Sequence, residues 1–421
     1  MAHDAKFADD AALAVLDRGA ALARIACRAS CANDDHDVSG IAWLEHVNLV
    51  VGHRDIVTAF FFDVLGLTRD PTKHLGEDGY GTIWANAGPW QQLHLVLSRD
   101  EAADPPQVIA GSIGLAVPSA AAVLARAHAA IAGCLRSSSS TSGTSGTAAR
   151  LSGTKFRLFE PPPSGAAEEC AVPCFALRCP WGNLYHIYQA DAKVPLTPSP
   201  PPVDSVWSQA MSMVRAHAHA GTTMAVRGGA GIRFIELECP APHVGGVADF
   251  YRTVFGCNVH VSALVSNDGS IGSGASVGAG DDGGLATGLA QRAAAVDVGA
   301  GVHLIFAPPA AARAETYMSR AAQQRGVHVC CYIPHFRRCY NVLQDRGLTW
   351  SNPRFKHLDQ CDTYELAAAC RQFRFKSLRE AGGAGTGAGG ELDYVEMLEL
   401  EHEVRSMTHC QYLKHVAYDA C

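Results

Sequence analysis

The chain has 421 residues, 48% hydrophobic and 18% charged, which suits two or three packed domains and is too apolar for a disordered chain. A formal net charge of −7 argues against a phosphate-tracking surface. No apolar run approaches the roughly 18 residues of a membrane span, and the acidic start MAHDAKFADD lacks the basic-then-apolar pattern of a leader. The expectation is a cytoplasmic protein with no nucleic-acid or membrane partner. Its 15 cysteines include no CxxC pair and read as reduced, buried thiols rather than a zinc knuckle.

In chain order, Leu13, Val15, Leu16, Ala20, Leu22 and Ile25 form the apolar side of one amphipathic helix within residues 1–40. LEHVNLVV (Leu44–Val51) reads as a strand, and TAFFFDVLG as a helix ending on Gly66, a residue suited to a left-handed C-cap. LHLVL (Leu93–Leu97) is a short strand, followed by the strand–helix unit SIGLAVPSAAAVLARAHAAIAG. A Ser-rich insertion covers 137–148, and FALRCPWGNLYHIYQ supplies the late strands. PLTPSPPP, within Val194–Val203, is an extended spacer and the clearest boundary.

The pattern then repeats at an offset of 190 residues: IRFIELEC (Ile232–Cys239), then ADFYRTVFG ending on Gly256. VHLIF (Val302–Phe306) matches LHLVL, HVCCYIPHFRRCYNVLQDRGL is another strand–helix unit, and VEMLELEHEV closes the second half. Glycine-rich insertions interrupt it at 266–288 and 381–390. Four βαβββ-like modules, paired into two domains across the spacer, describe this most economically. The expected division is an N-terminal extension (1–40), a first domain (41–191), a linker (192–229), a second domain (230–408) and a tail (409–421).

HVNLVV, the FF-containing helix with DVLGL, QLHLVL some 50 residues on, and the closing PWGNLYHIY, found in order and in part twice, resemble the vicinal oxygen chelate superfamily of glyoxalases, extradiol dioxygenases and bleomycin-resistance proteins. The resemblance covers about 42–190 and 230–405. It implies an α+β fold of two tandem glyoxalase-like domains, each of two paired βαβββ modules. It also implies a divalent metal (zinc, nickel, iron(II), cobalt or manganese) held by first and last strands in a cleft.

Carried over position by position, it implies His46 and His94 in module one, Ser112 where the family often has His, and His186 where it usually has Glu. The interval from His46 to His94 is 48 residues and from His94 to Ser112 is 18, both normal for the family. In the second half, counting back 20 residues from Gly256 gives Glu236, with Phe234 in its place if the connection is two residues longer. His303 and His328 follow. Alternation puts Glu399, Glu401 and Glu403 on one strand face. Glu401 is the favoured ligand, with Glu399 its nearest rival.

Imidazole and carboxylate donors suit these ions, and open positions would let two neighbouring substrate oxygens chelate the metal. Glu236 and Glu401 are the candidate proton-transfer groups. The plainer readings are satisfied core histidines and a solvated glutamate edge paired with Arg405. The expected function is a metal-dependent lyase or isomerase acting on a small molecule. Alternatives are a ring-cleaving dioxygenase or a non-catalytic binding protein using the same cleft. A first cleft of His46, His94 and His186, and a second of Glu236, His303, His328 and Glu401, are expected.

Overall fold

The computed structural model describes residues 14–26, 40–70, 79–88, 90–137, 146–161, 173–190, 230–263, 292–299, 301–309, 324, 326–356, 359–381 and 394–411. The proline spacer, the glycine-rich insertions (266–288 and 382–390) and the centre of the Ser-rich insertion lie outside these residues. Among the described residues, no helix is long and apolar enough to cross a membrane.

The fold is α+β, with four modules in two sheets. Module one carries β1 (Trp43–Val51), α2 (Arg54–Val57) running into a π-helical turn (Thr58–Val64), β2 (Thr68–Arg69), β3 (Thr82–Gly88) and β4 (Gln91–Leu97). Module two carries β5 (Gly111–Val117), α3 (Ala120–Ser137), α4 (Thr147–Leu151), β6 (Arg157–Phe159), β7 (Phe175–Arg178) and β8 (Leu184–Gln189). Module three has β9 (Gly231–Glu238), a 3-10 turn (Ala241–His243), α5 (Val244–Val254), β10 (Val259–Ala263), β11 (Arg292–Asp297) and β12 (His303–Ala307). Module four has β13 (His328–Ile333), α6 (Phe336–Asp345), α7 (Tyr364–Cys370), β14 (Gln372–Ala381) and β15 (Tyr394–Ser406). Helix α1 spans 14–26. Gly66 and Gly256 have φ of 73° and 75°, the left-handed closure expected of both.

The pairing of modules differs from the expectation. One sheet runs β14-β15-β13-β1-β4-β3-β2 and the other β10-β11-β12-β9-β5-β8-β7-β6. Module one therefore joins module four through antiparallel β1/β13, and module two joins module three through β5/β9. Neither half of the chain closes a sheet by itself.

Strand alternation separates a core face from a cleft face. Val47, Leu49, Val329, Cys331, Leu400 and Val404 enter the main apolar core. His402 shares their face: it stacks on Phe375 with ring centroids 4.2 Å apart, and its Nε2 lies 2.6 Å from the Tyr251 hydroxyl. It is a satisfied core histidine.

Candidate metal centre

The register of the first sheet defines one cleft. Across β1/β13, His46 faces Cys330, Val47 faces Val329 and Asn48 faces His328, so a local two-fold at Val47/Val329 relates His46 to His328. On the parallel neighbours, Asn48 pairs with His94 and Cys330 with Glu403, so the same operation relates His94 to Glu403. These four are the equivalent positions of one cleft, drawn from both ends of the chain.

Donor atoms of His46, His328 and Glu403 all lie within 4.8 Å of one another. The His46 and His94 rings stack at 3.7 Å, and Trp84 lies on the far side of His94 at 4.3 Å with a 4° interplanar angle. His94 Nε2 is 3.0 Å from Gln92 Oε1, which fixes its ring. An irregularity in β1 between Leu44 and His46 brings Glu45 to the same side, and Glu45 Oε2 lies 3.2 Å from His46 Nδ1. His46 Nε2 is buried and finds no hydrogen-bond partner among the described residues.

A charged network underlies the donors. Arg374 bonds Asp359 through Nε at 2.7 Å, Glu401 through Nη1 at 2.9 Å, and Glu403 through Nη2. Arg405 meets Glu45 and Glu403, each at 2.5 Å, and Tyr332 donates to Glu45 at 2.9 Å. Burial pushes His46 down to about 3, an effect only partly opposed by Glu403. Burial likewise holds His94 and His328 well below the usual imidazole range, helped by His46 and Arg374 respectively. Burial alone would raise Glu403, but Arg374 and Arg405 hold it well below the carboxylate range. The set is two neutral imidazoles and an ionised carboxylate at neutral pH.

These residues fit a divalent ion. The lone pair of His46 Nε2 has no other buried use, and four carboxylates (Glu45, Asp359, Glu401, Glu403) face only two guanidiniums in the network. Glu45, His46 and Cys330 form an alternative cluster, but burial pushes the Cys330 thiol up, away from the thiolate a metal needs. A cavity of about 520 Å³ opens on the first set, walled by Trp84 and Phe355.

The expected groupings change with the pairing. His46 and His94 do share a cleft, but His186 is on β8 of the other sheet. His328 joins them instead of Glu236 and His303, which are on β9 and β12. Glu401 is on the same face as Glu403 one step earlier; it accepts from Asn352 and lines a neighbouring cavity of about 360 Å³. Of the three glutamates on that face, Glu403 rather than the favoured Glu401 is the one brought beside His46 and His328. It could have been found by transferring the Asn48–His94 step to Cys330–Glu403, had the partner of β1 been known.

In the second sheet the same four positions are Ser112, His186, Phe234 and Ile305, since Gly114 pairs with His186 and Glu236 with Ile305. Among the described residues, the one histidine at these four positions belongs to no cluster of three metal-donor side chains. The 3-10 turn ahead of α5 lengthens the connection and shifts Phe234, not Glu236, into register. Helix α1 fills this cleft: Leu22, Ala23, Ile25 and Ala26 pack on Ala116, Tyr188, Phe234 and Ile305. Arg18 pairs with Glu236 at 2.6 Å, and Ser112 donates to the same carboxylate at 2.6 Å. Burial raises Glu236, but Arg18 and Ser112 bring it below its ordinary value, so it is a paired anion rather than a base.

No protein-family profile and no curated protein matches the sequence. Among solved structures, glyoxalase I from Zea mays aligns over 88% of this chain and 94% of its own at 10% identity, with a TM-score of 0.42. A putative dioxygenase from Bacillus subtilis aligns over 88% and 86% at 11% identity, TM-score 0.38. The 2,3-dioxygenase LapB from Pseudomonas sp. KL28 aligns over 88% and 93% at 10%, TM-score 0.24. The paired βαβββ architecture follows from this chain's own strand order.

Proposed function

We propose that the chain is a divalent-metal-dependent enzyme with one metal centre, built from His46, His328 and Glu403, and acting on a small molecule that chelates the ion through neighbouring oxygens. The convergence of three buried donors of the right protonation state carries this reading. When bound, the metal would supply Lewis acidity to the chelated oxygens and, as iron(II), a site for oxygen chemistry. The protein's own part is positional. Arg374 and Arg405 keep Glu403 ionised and aimed, Gln92 fixes His94, and Trp84 and Phe355 shield the cavity walls from water.

Two histidines and one carboxylate with open positions is the donor set of non-haem iron(II) oxygenases, so oxygen-dependent cleavage of a chelating substrate is the leading reaction type. It is placed ahead of the lyase or isomerase expectation because two histidines and a carboxylate converge across the two halves of the chain. A lyase or isomerase is the second reading. His94, stacked on His46, supports it as a fourth donor or a proton carrier close to the ion.

Metal analysis of chelator-stripped, reloaded protein should give one equivalent per chain, lost in His328→Ala and in Glu403→Gln. Full metal content in both variants would refute the centre. Oxygen uptake by the iron(II)-loaded protein with a panel of catechols and 2-oxo acids, against turnover of hydroxy-ketones and hemithioacetals by the nickel- and zinc-loaded forms, separates the two reaction types.

A further inference from the structure

The metal cavity has three arginines in its lining, and two are fully engaged. Arg374 is held by Asp359, Glu401 and Glu403, and Arg405 by Glu45, Glu403 and Gln372. Arg354 differs. It is exposed at the rim, and its guanidinium meets no carboxylate among the described residues; the guanidinium carbon lies 5.9 Å from the centroid of the Phe355 ring.

The rim is nevertheless well anchored. Asn352 donates to both oxygens of Glu401, at 2.9 and 3.2 Å, while its own Oδ1 accepts from the Arg354 backbone N–H at 3.0 Å. The Arg354 backbone is thereby tied to β15, the strand that carries Glu403. Phe355 is fixed in turn: the Arg374 guanidinium sits over its ring at 4.6 Å, and its edge-to-face partner is the metal-site histidine His328 at 6.1 Å. Arg354 and Phe355 also line the adjoining cavity, so they stand where the two meet.

We infer that Arg354 and Phe355 form a specificity site for an anionic group on a flat substrate, so that the molecule chelating the metal also carries a carboxylate. This rests on the metal-centre reading. The flat body lies against Phe355, the vicinal oxygens reach the donors beyond His328, and the carboxylate pairs with the uncommitted guanidinium in the charge-assisted, fork-like manner arginine favours. The two buried arginines cannot serve, because withdrawing either would strand buried carboxylates.

Calorimetric titration of the zinc-loaded protein with 3,4-dihydroxybenzoate and with catechol tests this. The carboxylate should tighten binding by about tenfold, as expected of one charge-assisted contact at a partly solvated rim. The gain should shrink as salt is raised. Arg354→Gln should erase the difference between the two ligands, and Arg354→Lys should restore part of it. Equal affinities, or a preference that survives Arg354→Gln, would overturn the specificity site while leaving the metal centre standing. If the protein takes up no zinc, the metal reading fails, and quenching of tryptophan fluorescence by benzoate in chelated protein decides the rest; zinc-loaded protein that binds neither ligand overturns the specificity site. Quenching that depends on Arg354 sustains the anion site, and its absence overturns it.

Discussion

Glu403 lies between two guanidiniums and a histidine, with its Oε2 3.5 Å from His328 Nε2, and its ionisation depends on that company. Arg374 spreads one charge over three buried carboxylates. Removing it leaves them facing one another in a poorly solvated site. Arg374→Met should therefore cost about 3–5 kcal/mol in denaturant unfolding, the range for breaking a buried charge cluster from one side. A loss below about 1 kcal/mol, typical of surface pairs, would show the network to be solvent-screened. A second residue-level effect concerns His303, which burial holds below its ordinary value against the pull of Asp297. As pH falls through about 6.5 the unfolded chain takes up this proton before the folded one, so stability drains away, by at most about 1.4 kcal/mol per pH unit. His303→Leu should flatten the fall in melting temperature as the pH drops below about 6.5, where the unfolded imidazole begins to take up its proton. An unchanged slope would assign the acid sensitivity to other groups.

Elements were more legible than their partners. The alternation in LEHVNLVV, the glycine after each strand–helix unit and the 190-residue repeat are local signals, and the strands and helices formed where they indicated. The shared face of Glu399, Glu401 and Glu403 was equally legible, since alternation is intrinsic to a strand. Which of them meets His46 and His328 was not, because that depends on the register between β15 and β13, a long-range pairing that no local pattern fixes. The same holds for α1. Its apolar side was visible in sequence, but not that it would enter the second cleft, with Tyr188 donating to the Gly19 carbonyl at 3.0 Å. There is no room for a side chain at Gly19, because an added Cβ would strike the His186 ring. Gly19→Val should undock the helix, lower stability by about 1–3 kcal/mol, the usual cost of overpacking, and open a trypsin site at Arg18 or Arg24. Unaltered proteolysis would mean that the helix holds its place without this close approach. Metal content should not change, since the donors lie on the other sheet.

At the scale of the whole molecule, the nested pairing of module one with four and two with three makes the two halves interdependent. The sequence repeat suggested separable domains because duplication reports ancestry of modules, whereas sheet membership is decided by which strand edges meet. Each half holds two of the four cleft positions: His46 and His94 in the first, His328 and Glu403 in the second. Each half also carries two strands, β1 and β5 or β9 and β13, whose inner edges are covered only by the other half. An uncovered edge with this apolar content is a template for aggregation. Cutting the chain within the proline-rich spacer is thus a direct test of the topology. Fragments 1–198 and 199–421, expressed separately, should be aggregation-prone and bind no stoichiometric metal. Co-expressed, they should co-purify as a one-to-one complex holding a single metal equivalent, because the interface they rebuild is the centre of both sheets. A first fragment that is monomeric, cooperatively folded and metal-loaded would mean that each half closes its own cleft, and the shared centre would be wrong.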